Sequence, residues 1–433
     1  MALTINRDKS WRRHRVAIAI WIIGLLAFTS APFTQALTAL APQRTSSNIA
    51  KFAKNSAQKT ITGSSLPVTK GTTSTTTSPT SSNASASALP TSCVAPRSIP
   101  SGLEVANSPE LRKLAEYDQV CNSGVIGTLS FFTPIPTTNS EAKSYASDVI
   151  AELNEFSAKG IQALVFLEPT TASGGLIDMN TYNSGAYDSV LDTYFADIKA
   201  GGINDSMMGT WVPFPEGNIP EWTSVDPNVF TAAVTKTVTF QKKYFPTSKA
   251  SILLDSQSYP TGASWGGGSQ VSLLPYVQNM PAGLLDSFGL QGFPWVPPAN
   301  VNESTNGEPQ SYLRVDFAAQ AARSLNVHTI WLNTGTFGVA YAGQGSSQVT
   351  ITPARRSQLL TEVTAQASVL KGQGFQVAVH LFAQDKSSTD EATNWSYWST
   401  GQTASSPATT VFKSFVHQLQ VAGVSLWLFD SND

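Results

Sequence analysis

The sequence predicts an α/β chain that closes as a (β/α)8 TIM barrel, entered through an export segment and a disordered Ser/Thr-rich stalk. Three observations carry that prediction. Eight short apolar runs recur after Cys93, segments of helical period lie between them, and the stretch from 93 to 433 has the length of one large domain. An open doubly wound sheet is the competing architecture. It would more often carry a glycine-rich phosphate loop, and the GGG at 266–268 lacks the lysine of a nucleotide-binding motif.

The first hundred residues are of a different kind. Arg7, Lys9, Arg12, Arg13 and Arg15 oppose the single acid Asp8, and VAIAIWIIGLLAF follows from Val16 to Phe28. A basic flank before an apolar run reads as an export signal. Residues 1–44 are therefore expected to be either a cleaved signal peptide or an amino-terminal membrane anchor. The run is shorter than the ~20 residues of a full span, while small residues at 36–42 offer cleavage sites. With the positive flank inside, the remainder is expected outside the cytoplasm, secreted or anchored. Residues 45–92 are almost wholly Ser, Thr, Ala, Asn, Lys and Pro, too poor in large apolar side chains to offset the entropy of ordering. They read as a flexible linker.

The folded part is assigned to residues 93–433. Cys93 and Cys121 are the only 2 cysteines, and in an exported chain they are expected to form one disulfide. The 4 histidines are scattered; His328 and His380 lie beside predicted strands and read as hydrogen-bonded structural groups. No metal or organic cofactor is called for. A net charge of -2 without a basic stripe argues against nucleic acid as a partner, and the domain is expected to be monomeric.

The predicted strands are 125–132, 161–169, 206–214, 250–256, 285–293, 328–334, 375–382 and 424–429. Each is continuously apolar, as befits a strand covered on both faces. Helices are predicted over 140–160, opening with a serine cap, and over 186–202, 228–245, 312–326 and 353–374.

Barrel chemistry sits at the carboxy-terminal strand ends. Those ends supply Glu168, Glu216, Asp255, the aromatic pair Phe293 and Trp295, Asn333, Asp385 and Asp430. A rim of carboxylates and aromatics fits a glycosidase: rings stack on the apolar face of a sugar, and a partly dry carboxyl is suited to donating a proton. No GxSxG elbow or HExxH zinc helix is present. The richest stretch is MMGTWVPFPEGNIPEW, 207–222. It makes Glu216 the candidate general acid/base and Asn218 a group that orients it or a sugar hydroxyl. Trp211, Trp222, Trp265, Trp295 and Trp395 are the candidate stacking rings. Asp255 and Asp385 are the candidate second carboxylates, though a strand-end aspartate also serves as a cap or an ion-pair partner.

The segment from Ser184 to Trp222 resembles glycoside hydrolase family 26. Gly185, Tyr187 and Asp188 match a Gly-Tyr-Asp helix start, and PEGN, 215–218, followed by Trp222, is similar to the family's His-Glu-Met-Asn loop and tryptophan. The similarity extends more loosely over 125–398, through the LEP at 167–169 and FAQDKSSTDEATNW at 382–395. It implies a β-mannanase-like enzyme acting on a polysaccharide or oligosaccharide, with Glu216 on the acid/base position. Two positions depart: Pro215 replaces the histidine, and Asn333 stands where the resemblance expects the nucleophilic glutamate. An amide cannot attack an anomeric carbon as a carboxylate does. The departure admits another rim carboxylate as partner, an inverting pair, or a decayed barrel that binds glycan without cleaving it. Asn333 would then be part of the sugar-binding surface.

Overall fold

A computed structural model describes residues 126–171, 175–218, 226–256, 273–293, 313, 315–336, 338–341, 348–386, 393–397 and 406–429. The leader, the stalk, Cys93, Cys121 and the expected disulfide lie outside these residues. Among the described residues, no helix is long and apolar enough to cross a membrane.

The eight expected strands are all present, and all pair in parallel. They are β1 (Ile126–Pro134), β2 (Gln162–Glu168), β3 (Thr210–Pro213), β4 (Lys249–Asp255), β5 (Ser287–Gln291), β6 (Thr329–Thr334), β9 (Gln376–Phe382) and β12 (Ser425–Phe429). In that order they form a closed barrel, with β12 returning to β1. Between them run α1 (Asn139–Ala158), α2 (Met179–Asn183), α3 (Asp188–Ala200), α4 (Pro227–Tyr244), α5 (Pro275–Gln278), α6 (Val315–Leu325), α7 (Pro353–Gly372) and α8 (Pro407–Ala422). The architecture is a (β/α)8 barrel.

Each helix follows from its sequence. In α1, Ala142, Tyr145, Ala146, Val149, Leu153 and Phe156 recur at three- and four-residue spacing and form the buried face. Its cap is Thr138, whose side chain accepts from the Glu141 amide, and not the expected serine. Glu141 in turn accepts from the Thr137 amide and hydroxyl. The helix therefore starts slightly earlier than the apolar period alone suggests. Proline opens α4, α7 and α8 where its missing N–H costs nothing. The sequence pattern did not single out α8, although it ends on Gly423 in the left-handed conformation, a usual helix stop.

Alternation along the strands separates two apolar layers. One set of side chains packs outward against the helices. The other points into the barrel and includes Leu164, Phe166, Val212, Leu253, Trp331 and Ala378, with Phe132 and Trp427 beside them. Trp331 fills the centre of the inner layer. Its indole N–H donates to Ser251 Oγ at 2.9 Å, and β5 carries Gly289 beneath it. A Cβ on that glycine would lie 2.3 Å from the Trp331 ring, so only a residue without a side chain fits there.

A second, smaller sheet was not expected from the sequence. β7 (Val339–Tyr341), β8 (Gln348–Thr350), β10 (Asp385–Lys386) and β11 (Thr393–Asn394) pair antiparallel in the order β10-β11-β7-β8. They join the excursion after β6 to the excursion after β9.

Candidate active site

The carboxy-terminal mouth of the barrel is built on two sides. On the β2 to β4 side, Glu168 closes β2, Asp255 closes β4, and Glu216 stands in the loop that follows β3. That loop is tightly formed. Phe214 and Glu216 both adopt left-handed backbone conformations, with φ of 52° and 58°. Side chains other than glycine avoid this region, and such conformations persist where the surroundings impose them. Here the Phe214 amide donates to Leu167 O at 3.0 Å, and the Glu216 amide to Leu253 O at 2.9 Å. The Glu216 side chain is half-buried.

Asn218 completes the attachment. Its Nδ2 donates to Asp255 O and its Oδ1 accepts from the Asp255 amide, both at 2.8 Å. This closed pair of bonds makes the Glu216 loop and the end of β4 one unit. Asn218 is thus a buried brace between the Glu216 loop and the end of β4.

An arc of rings runs from β2 through β1, β12 and β9 to the far side of the mouth. Phe166 stacks on Phe132 at 4.8 Å, Phe132 meets Phe429 edge-on at 5.0 Å, and Phe429 stacks on Phe382 at 5.3 Å. Trp395 and Phe293 extend the arc, 5.1 Å apart, and each touches Phe382. Trp395, Phe293, Phe382 and Phe132 are only partly buried. A staple holds Trp395 in place: buried Arg356 donates to Thr336 O, Trp395 O and Ser396 O. Its guanidinium lies 4.0 Å from the centre of the Tyr397 ring. The strand ends Phe382 and Phe429 and the ring Phe132 are aromatic contributors that the rim reading did not single out. Their shared inward parity with Trp427 and Phe166 is the signal that could have found them.

Inside the barrel, directly below this mouth, lies a chain of buried polar groups. In-register positions on neighbouring strands bring Asp255, Gln291, Asn333 and His380 together. Gln291 Nε2 donates to Asp255 Oδ2 at 3.1 Å. Asn333 Nδ2 donates to Gln291 Oε1 at 2.5 Å, and Asn333 Oδ1 lies 2.6 Å from His380 Nδ1. His380 Nε2 lies 2.8 Å from Ser130 Oγ. The placement of the two amide groups fixes the direction of the chain, since an amide nitrogen only donates and an amide oxygen only accepts. Gln291 must present its amide nitrogen, Asn333 its nitrogen to Gln291, and His380 a protonated Nδ1 to the Asn333 carbonyl. Nε2 then accepts from the Ser130 hydroxyl. Burial pushes the His380 imidazole down from 6.5 to about 3, so it stays neutral in this chain.

The remaining expected site residues fall elsewhere. Trp211 is buried outside the barrel wall, against Tyr194 and Phe195, with its indole N–H donating to Met208 O. It cannot stack on a sugar, because its neighbour Val212 takes the inward position on β3. Asp385 belongs to β10 of the small sheet, paired with Asn394, and does not end a barrel strand. Trp222, Trp265, Trp295 and Asp430 lie outside the described residues. Among the described residues no group of His, Cys, Asp and Glu could hold a metal ion. A depression of about 980 Å³ does occur at the opposite, amino-terminal mouth. Its lining includes hydroxyl and amide side chains such as Thr128, Gln162, Thr210 and Gln376, with Lys249, Asp286 and Trp427 among them.

No protein-family model matches the sequence, and no curated protein matches it. Solved structures of similar architecture include a family 1 β-glucosidase from Thermotoga maritima, at 9% identity and a TM-score of 0.44, covering 72% of this chain and 86% of that one. Another is an endo-1,4-β-D-mannanase from Thermotoga petrophila RKU-1, at 10% identity and 0.41, covering 72% and 96%. A β-glycosidase gives 14% identity and 0.47, covering 71% and 85%. At these values the likeness adds nothing to the barrel already visible in the strand ladder.

Proposed function

We propose that this chain is an exported glycoside hydrolase-type barrel acting on a polysaccharide, a β-mannan or related β-glycan. Glu216 is the general acid/base and Asp255 its partner carboxylate. The observation that carries this reading is the two-sided mouth. A carboxylate braced in a left-handed backbone conformation shares the opening with a partly exposed arc of rings ending in Trp395. Such rings supply a platform for the apolar face of a pyranose, and paired carboxylates supply proton transfer and stabilisation of a developing oxocarbenium ion. Export through residues 1–44 and display on the stalk would place the barrel where polymeric glycan is met.

The test is release of reducing ends from β-mannan, mixed-linkage glucan and xylan. Glu216→Gln is expected to lower that release by about 10²- to 10⁴-fold, the usual share of a general acid, with glycan retention in affinity gels preserved. Undiminished release by Glu216→Gln rules out the assignment.

One observation favours a second reading. Asn333, where the resemblance expects a nucleophile, has both ends of its amide engaged inside the barrel. A barrel that retains glycan but releases no reducing ends from any of the three polymers would be a binding protein of the same ancestry.

A further inference from the structure

We propose that Ser130, His380, Asn333 and Gln291 form a one-way donor relay that holds Asp255 as an aimed anion. In this relay the four are positioning residues for the partner of Glu216, an assignment that rests on the reading above. The relay crosses the barrel interior through β1, β9, β6, β5 and β4. Every member is at most 5% exposed, so each bond forms in a medium where its polarity is felt by the next. All four bonds point the same way. The serine hydroxyl donates to the imidazole, the imidazole to one amide, that amide to the next, and the last amide to the carboxylate. Each bond strengthens the donor that follows it, and the accumulated polarisation arrives at Asp255 Oδ2.

The backbone arrangement serves the same end. Asn218 grips the Asp255 amide and carbonyl, so the residue is fixed from the main chain as well as from its side chain. Among the described residues, the titratable groups on the elements around Asp255 are Glu168 at the end of β2, Glu216 after β3 and His380 on β9. His380 is neutral and reaches Asp255 only through the relay. A donated hydrogen bond favours the charged form of a carboxylate, and Gln291 supplies one to Asp255 Oδ2. This also accounts for the amide at position 333: a carboxylate there could not donate to Gln291, and the relay would break at its midpoint.

The decisive measurement is the titration of Asp255 in the full chain by carbon-13 NMR of labelled aspartate, with Asp255→Asn identifying the signal. Gln291→Met removes the last donor and is expected to raise the titration midpoint by about 1 to 2 pH units, the equivalent of one hydrogen bond to a charged group. Ser130→Ala removes only a hydroxyl at the far end and should move the midpoint in the same direction by a smaller amount. Should Gln291→Met not fold, Ser130→Ala decides alone. A midpoint unmoved in Gln291→Met, or in Ser130→Ala where that variant decides, overturns the relay, whatever happens to Tm. The measurement needs no substrate, so a chain inactive on every glycan would refute the glycosidase reading without touching this one. In an active chain, Asp255→Asn that leaves reducing-end release intact would overturn the partner assignment.

Discussion

Asn218 shows how a residue chosen for one role can serve another at the same site. The sequence offered it as a group orienting Glu216 or a sugar hydroxyl, and in the fold both ends of its amide bond to the backbone of Asp255. Asn218→Ala leaves a buried N–H and a buried C=O without these partners, each worth about 1–3 kcal/mol when orphaned. A loss of about 2–4 kcal/mol in urea unfolding is expected. Asn218→Asp should lose at least as much, because it sets an oxygen against the Asp255 carbonyl and buries a charge. A smaller loss in Asn218→Asp than in Asn218→Ala would disprove the brace. Trp211 teaches a related lesson. Its position beside Glu216 in sequence suggested the mouth, but strand alternation turns it to the helical layer, where it packs against Tyr194 and Phe195.

At the scale of elements, β3 is the sensitive one. It is only four residues long and begins immediately after Gly209, which has a φ of 63°. A Cβ there would lie 2.1 Å from the carbonyl oxygen of Ala163 on β2. Neither partner is a flexible side-chain end, so relief requires separating β2 from β3. Gly209→Ala is expected to cost at least about 2 kcal/mol, combining unfavourable backbone conformation and overpacking. Because β3 carries the Glu216 loop, it should also lower any glycan activity more than its stability loss explains. Comparing folded fraction with specific activity separates the two effects. The period of α1 and α4 was legible because each packs a single apolar stripe. The small sheet was not, since strands of two or three residues are too short to show alternation.

For the whole molecule, the buried network predicts how stability varies with pH. His380 titrates near 6.5 when unfolded and about 3 when folded. Between those values the unfolded chain binds the extra proton, so stability falls as pH drops from 6.5 toward 3. The full shift corresponds to at most about 5 kcal/mol. Asp192, lowered chiefly by its bond from Lys243, and Asp205, lowered chiefly by the Thr247 amide, add their loss only below the ordinary carboxylate range. Urea midpoints should therefore decline already between pH 6.5 and 5. His380→Gln should flatten that upper limb while leaving the lower one. An unchanged slope in that variant would show that His380 is not the group responsible.

By itself the sequence determined the barrel: eight apolar runs of strand length, separated by helical stripes, leave parallel closure as the way to cover both faces of every strand. It also marked Glu168, Glu216 and Asp255 as strand-end carboxylates, because position along a run can be read without knowing what lies opposite. Only the tertiary structure decided which side chains meet. Ser130 and His380 are 250 residues apart, yet they are bonded across the interior. The register between parallel strands is set by crossovers and by packing around Trp331, and no local pattern encodes it. The roles of Asn218, Asn333 and His380 are therefore properties of the closed sheet, while those of the runs that build it are properties of the chain.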